Sequence, residues 1–422
     1  GGGIHAGATV TITVDASEIS GNRASIGGGW YAQAEGTLTD STISGNTAEL
    51  NGGGVYLRGG SFKVNSGALA SNSAFGGAGG GIFNAGGELT IDNAMIRSNS
   101  AGNSGGGIFG QDGSADLSNT DLLDNSAVLS GGGLANLSGP VFIDGGDVRG
   151  NDAGIFGGGI YSREGDLTVS NVVLDGNTAQ VIGGAIFDGE GRLLLTASTI
   201  SANSAGLGGG VNIGGAGFLN AGTVSISTVA IIDNEASSGG GMSIYGSDLI
   251  VNAATLAGNE AATGGAIFQY GGELSAENTT FSSNAAGFGG AVEARGGVSL
   301  RHVTILNTTI NPRPRQKGGP VIQAAISGTG SFLLANSVIA ATSGQAGRGE
   351  PMLAPELTES GGFLVHELLK GSPLIDAGAP EFCNQIDQRG VPRDMDCDIG
   401  AVEFFEQVVF RSSFERAEEE LE

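Results

Sequence analysis

A short phrase, a pair or triplet of glycines followed by an aliphatic residue, returns along most of the chain at nearly constant spacing, and no other feature limits the fold as tightly. It reads GGGIH at 1–5, GGGWY at 27–31, GGGVY at 52–56 and GGGIF at both 79–83 and 105–109. The phrases begin at 1, 27, 52, 79, 105, 131, 157, 183, 208, 239, 264 and 289, with steps of 25 to 27 residues and one step of 31. An Asn anchors each unit, at Asn22, Asn46, Asn72, Asn99, Asn125, Asn151, Asn177, Asn203, Asn234, Asn259 and Asn284, and Ala stands two residues after each. Self-similarity at such a period means one small unit stacked on the next. The opening phrase lacks the Asn turn that should precede it, so Gly1 reads as a cut or processed end of a longer solenoid.

The unit is built of strands. In LTVSNVVLDGNTAQVIGGAIFDGEG, 167–191, apolar residues alternate over stretches of three to five residues, and no 3.6-residue period is sustained. Gly is 81 of 422 residues against nine Pro, without the every-third-residue pattern of collagen, so the glycines serve tight corners. About three short strands per 25-residue coil predict an all-β fold, a single-stranded parallel β-helix. Parallel crossovers make it right-handed. Twelve or thirteen coils at ~4.8 Å each give a rod of roughly 60 Å.

Alternation sorts the columns. The residue after the glycines is Ile4, Trp30, Val55, Ile82, Ile108, Leu134, Ile160, Ile186, Val211, Met242, Ile267 and Val292, an interior column. The next residue must point the other way. It is His5, Tyr31, Tyr56, Phe83, Phe109, Ala135, Tyr161, Phe187, Asn212, Ser243, Phe268 and Glu293, which reads as outward or at a corner. Tyr31, Tyr56, Phe83, Phe109, Tyr161 and Phe187 are thus expected to stack along one edge. There they either stiffen the rod or form an exposed strip for sugar faces or a protein partner. The repeated Asn is expected to take a left-handed turn and to bond to the coils on either side. None of the eleven is a glycosylation sequon.

A formal charge of −25 and a pI of about 4.3 argue against nucleic acid or an anionic membrane as general partners. No apolar run approaches the ~18 residues of a membrane helix. Serine-histidine triads, phosphate-binding loops and Cys-x-x-Cys metal pairs are absent from the sequence. One basic run, 293–319, gathers Arg295, Arg301, His302, Arg313, Arg315 and Lys317. Its NPRPRQK segment interrupts the repeat and is read as a Pro-stiffened loop, either purely structural or a contact for an anionic glycan or a partner. Catalysis on such a scaffold needs projecting carboxylates, and Asp175, Asp188 and Glu190 are the candidates. A second insertion, 212–224, carries Phe218 and Leu219. Open coil ends invite lateral or end-to-end self-association.

The repeats resemble the glycine-glycine and Asn units of polymorphic outer membrane proteins and related right-handed β-helix proteins, over residues 1 to about 310. The segments SPLIDAGAP, 372–380, and DQRGVPRDMDCDIGAVEF, 387–404, are similar to the choice-of-anchor Q module, and VVFRSSFE, 408–415, to the ending of such proteins. The resemblance implies a β-helix over 1–342, a C-terminal cap or anchor module over 343–422, and an exported bacterial surface protein acting as an adhesin-like or structural scaffold. A polysaccharide lyase or hydrolase on the same scaffold is the alternative. For an exported chain, Cys383 and Cys397 form a disulfide rather than two free thiols. Asp394, Asp396 and Asp398 alternate there, either as oxygen ligands for Ca²⁺ or as a cap paired with Arg389 and Arg393.

Overall fold

The computed structural model describes residues 1–215, 224–306, 309–310, 326–328, 332–340, 353–354, 356–360, 362–394 and 396–404. The Arg313, Arg315, Lys317 loop, the insertion tip with Phe218 and Leu219, and the 408–415 ending lie outside them. The chain winds into an all-β parallel solenoid of about 11 turns, close to the number of phrases. Its first face is a sheet of 13 parallel strands, from Ile4–Ala6 to Ile326–Gly328, entered directly from the glycine phrase. The register joins Ile4 to Trp30, His5 to Tyr31, Tyr31 to Tyr56 and Tyr56 to Phe83, so the phrases align as the spacing required.

A second, wider face follows. Some coils cross it as one long strand, such as Glu88–Arg97, and others as a pair, such as Leu167–Ser170 and Val173–Asp175, bent at Asn171 with φ 56°. The third face has two-residue strands, Arg23–Ala24 through Thr178–Ala179, carried onward by bridges from Thr178 through Ser204 to Glu235. Alternate residues of the first and second faces fill one continuous apolar interior, with Trp30, Leu38, Val55, Ile82, Ile108 and Ile160 fully or almost fully buried. Trp30 fits a column of smaller residues because Gly36 faces it; a Cβ on Gly36 would sit 2.7 Å from the Phe62 ring and 3.2 Å from the indole.

The glycine phrase has two jobs. Gly27 and its equivalents take positive φ, 61° at Gly27, which favours a residue without Cβ. Gly28 lies so close to the next coil that a Cβ would strike the Gly53 and Thr47 carbonyls. The Asn column forms a continuous ladder. Asn125, for instance, donates through Nδ2 to Ile96 O at 2.8 Å and to Asn151 Oδ1 at 3.0 Å, and its own Oδ1 accepts from Asn99 N and Nδ2 at 3.0 Å each. One expectation is corrected here. The left-handed residue is the one before the Asn, at Gly21, Gly45, Ser71, Ser98 and Asp124, while the Asn itself turns inward.

The described part of the C-terminal segment packs against the side of the solenoid. It lies along the flank of the last coils, at the bend of the second face. Asn336 Oδ1 accepts from Ala379 N at 2.7 Å, His302 Nε2 meets Phe382 O at 2.7 Å, and Asn278 Nδ2 donates to Ile386 O at 3.2 Å. Gln388 then bonds to Thr280 Oγ1 and to Ala254 O. Residues 379–388 therefore climb back along the stack, roughly one contact per coil. Their own frame is ionic: Arg389 pairs with Glu367 and Asp387, and buried Arg393 with Glu403 at 2.8 Å. Cys383 and Cys397 are joined in a disulfide, with Cα atoms 6.0 Å apart.

Candidate functional site

The aromatic column stacks as its spacing requires. Tyr56 and Phe83 stack with ring centroids 5.0 Å apart and planes nearly parallel, Tyr161 and Phe187 likewise at 5.3 Å, and Phe83 with Phe109 at 5.0 Å with a 21° tilt. The outward strip for ligands is not formed. Tyr31, Phe83, Phe109, Tyr161 and Phe187 are buried, and Tyr56 is half-buried. Side chains from the turn that enters the next coil fold over them, among them Ala78, Phe156, Ile182 and Leu207. The column is a second, thin core outside the first.

Among the described residues the members of the basic run do not converge either, Arg313, Arg315 and Lys317 lying outside them. Arg295 and Arg301 are exposed on different faces, Arg295 with its guanidinium 5.3 Å over the Tyr270 ring and Arg301 in register with Glu277. His302 is buried under the C-terminal segment, and desolvation with the nearby Arg393 charge lowers its pKa to about 4. The candidate acids are also apart. Asp175 is on the second face, accepting from Ser201 Oγ at 2.7 Å; Asp188 is sealed inside the solenoid; Glu190 is exposed in the turn beyond it. Asp394 and Asp396 are exposed, whereas Asp398 is buried and its carboxylate accepts from the backbone N–H groups of Asp376 and Phe404. The three do not gather around a cation, and Arg393 takes Glu403 instead. Among the described residues no group of three or more His, Cys, Asp or Glu is placed to hold a metal ion.

What the fold does build is a groove on the third face. Its floor is a column of small polar side chains in register, Thr47, Ser73, Ser100, Ser126, Asp152 and Thr178. Ser100 Oγ donates to Ser73 Oγ at 3.1 Å, so the hydroxyls lie along one line. Its wall is the residue that follows the repeated Asn-x-Ala. That position reads Phe75, Gly102, Val128, Gly154 and Gln180 in consecutive coils, a side chain and a glycine in alternation. Phe75 is 81% exposed and Val128 61%. The glycine notches are held by the close backbone, because a Cβ on Gly102 or Gly154 would meet the carbonyl of Phe75 or Val128. The open groove encloses about 480 Å³ and is lined by Phe75, Ser100, Ser126, Val128, Asp152 and Gln180 among others. Its notches recur every second coil, or roughly 9.6 Å.

The sequence reading passed over this column. The signal was present in the residue after each Asn-x-Ala, but alternation between coils shows only when units are read side by side. Compared with known proteins, the chain matches no family model, no curated protein and no solved structure. Among the described residues no helix is long and apolar enough to cross a membrane.

Proposed function

We propose that the chain is a non-catalytic, adhesin-like binding scaffold that takes an extended neutral glycan in the third-face groove. The single observation that carries this reading is the pairing of a hydroxyl floor with exposed apolar ridges at a two-coil interval. Sugar rings present apolar faces and rims of hydroxyls, so Phe75 and Val128 offer stacking surface while Ser100, Ser126 and Asp152 offer hydrogen bonds. A chain of alternating ring faces can meet successive ridges without changing its path. The net charge of −25 disfavours acidic polysaccharides. The likeness of the repeats to polymorphic outer membrane proteins, and of 372–404 to choice-of-anchor modules, supports export to a bacterial surface, and the disulfide accords with an oxidising compartment.

The test is a glycan array with neutral and acidic oligosaccharides, followed by titration of hits against Phe75→Ala, Val128→Ala and Gly102→Asp. Neutral extended chains should bind, with losses of roughly tenfold for each ridge variant. Selective binding of acidic glycans, or hits indifferent to all three variants, would overturn the reading.

A further inference from the structure

The second face carries another row with a two-coil rhythm, and its order has a symmetry that the groove lacks. Taken in register through six consecutive coils, its outward residues are Phe142, Thr168, Leu194, Ser225, Ile250 and Ser275. Phe142, Leu194 and Ile250 are 49%, 42% and 46% exposed, although the residues flanking each in its strand are buried or belong to polar outward columns. These six residues are uncharged and span roughly 24 Å at ~4.8 Å per coil, the column continuing in register to Asp116 before them and Ser299 after. A line of regularly placed apolar side chains on a flat sheet marks a contact surface.

We propose that this row is the interface of a two-fold symmetric homodimer, each large side chain of one copy seated over a small hydroxyl residue of the other. The row reads large, small, large, small, large, small. A two-fold axis lying in the plane of contact, parallel to the strands and midway between Leu194 and Ser225, exchanges the first position with the sixth, the second with the fifth and the third with the fourth. Phe142 then faces Ser275 of the other copy, Ile250 faces Thr168, and Leu194 faces Ser225. Every large residue meets a small one and none meets its like, which is the self-complementarity an isologous contact requires. An extended glycan makes no such demand on the order, since it has no reason to prefer a row that maps onto its own complement. Along this uncharged strip two copies of a chain with net charge −25 can meet without setting charge directly against charge. A patch this narrow falls below the ~800 Å² per partner of standard stable complexes, so the dimer is weak and concentration-dependent. It leaves the third face free, and it stands whether or not the groove binds sugar.

The experiment is sedimentation velocity on the full chain over a wide concentration range, with circular dichroism to show that every variant is folded. The parent should pass from monomer to dimer. Leu194→Ser leaves a void opposite Ser225, and Ser225→Leu sets two leucines against each other, so each should weaken dimerisation by roughly tenfold or more. The double exchange Leu194→Ser with Ser225→Leu restores large against small at the axis and should recover most of the parent affinity. A monomer at all concentrations, a dimer untouched by the single changes, or a double variant no better than the singles would each overturn the proposal. Glycan hits lost in Leu194→Ser without any change in association would do the same, assigning the face to sugar.

Discussion

Asp188 shows how one residue can set a pH response inside a repeat. It occupies the third position of a first-face strand, where the side chain points into the solenoid. In other coils this position bonds across the following turn: Asn84 Nδ2 donates to Gly87 O at 2.9 Å while Gly87 N donates to Asn84 Oδ1, Asn136 Nδ2 donates to Gly139 O, and Ser162 Oγ to Gly165 O. Asp188 is fully buried and neither carboxylate oxygen has a partner. Burial raises its pKa from 3.8 to about 7, with the Ser162 hydroxyl opposing the rise and the nearby Asp166 charge adding to it. The folded state therefore keeps a proton that the unfolded state releases near pH 4. Stability is greatest below that point and falls as pH rises through about 7, by up to ~4 kcal/mol at 1.36 kcal/mol per pKa unit. Asp188→Asn, which supplies the amide found at Asn84 and Asn136, should raise the melting temperature at pH 8 and flatten the pH profile between 4 and 7. Thermal melts across that range check it; a parent profile that is already flat would reject the assignment. The sequence made the Asn column visible but not the backbone beneath it. A left-handed residue is named by its φ, and Ser71, Ser98 and Asp124 carry no mark that separates them from ordinary turn residues.

At the scale of the element, the ladder and the flanking segment differ in how they are held. The rungs from Asn46 to Asn259 are buried and bonded to both neighbouring coils, so removing one leaves orphaned donors on either side. Asn125→Ala should cost about 3 kcal/mol or more in chemical denaturation, and Asn125→Asp, which keeps an acceptor for Asn99 but sets a buried carboxylate against the Ile96 and Asn151 oxygens, should cost at least as much. An Asn125→Ala protein within 1 kcal/mol of the parent, on the order of a surface change, would count against the ladder. The flank is tied to the coils by hydrogen bonds and by an apolar cluster that joins Leu306 and Val338 to Val365, Leu368 and Val402, and within itself by the Cys383–Cys397 link across 14 residues, which contributes about 3 kcal/mol. Reduction should speed amide exchange in 379–388 while the solenoid signal in circular dichroism persists; loss of both together would show one cooperative unit. Strand order and register were legible because every coil repeats its own entry phrase. The flank docking was not, since Thr255, Thr280 and Thr304 look like any outward strand residue until distant partners, Gln388 and Ala401, are placed beside them. The burial of the aromatic column was hidden for a similar reason: alternation gives a side chain its direction, but the cover comes from Phe156, Ile182 and Leu207 in the irregular turns.

For the whole molecule, charge and shape act against each other. Two copies meeting through the second face bring together chains of net charge −25 each, so their repulsion is long-ranged at low ionic strength. Raising salt should therefore strengthen dimerisation, first by shortening the Debye length and then by favouring apolar contact. Sedimentation at low and high sodium chloride checks this, and a dimer that loosens with salt would point to ion pairs across the contact instead. The binding groove and the dimer row share one further property. Both alternate from coil to coil, so the surface repeats with twice the period of the backbone. Deleting or duplicating one coil would leave every hydrogen-bonded register intact, because the coils are interchangeable as scaffold. It would also put two large residues, or two glycines, side by side and shift everything beyond them out of phase. Only changes by an even number of coils keep both surfaces in step, which makes the functional unit of this chain a pair of coils rather than one.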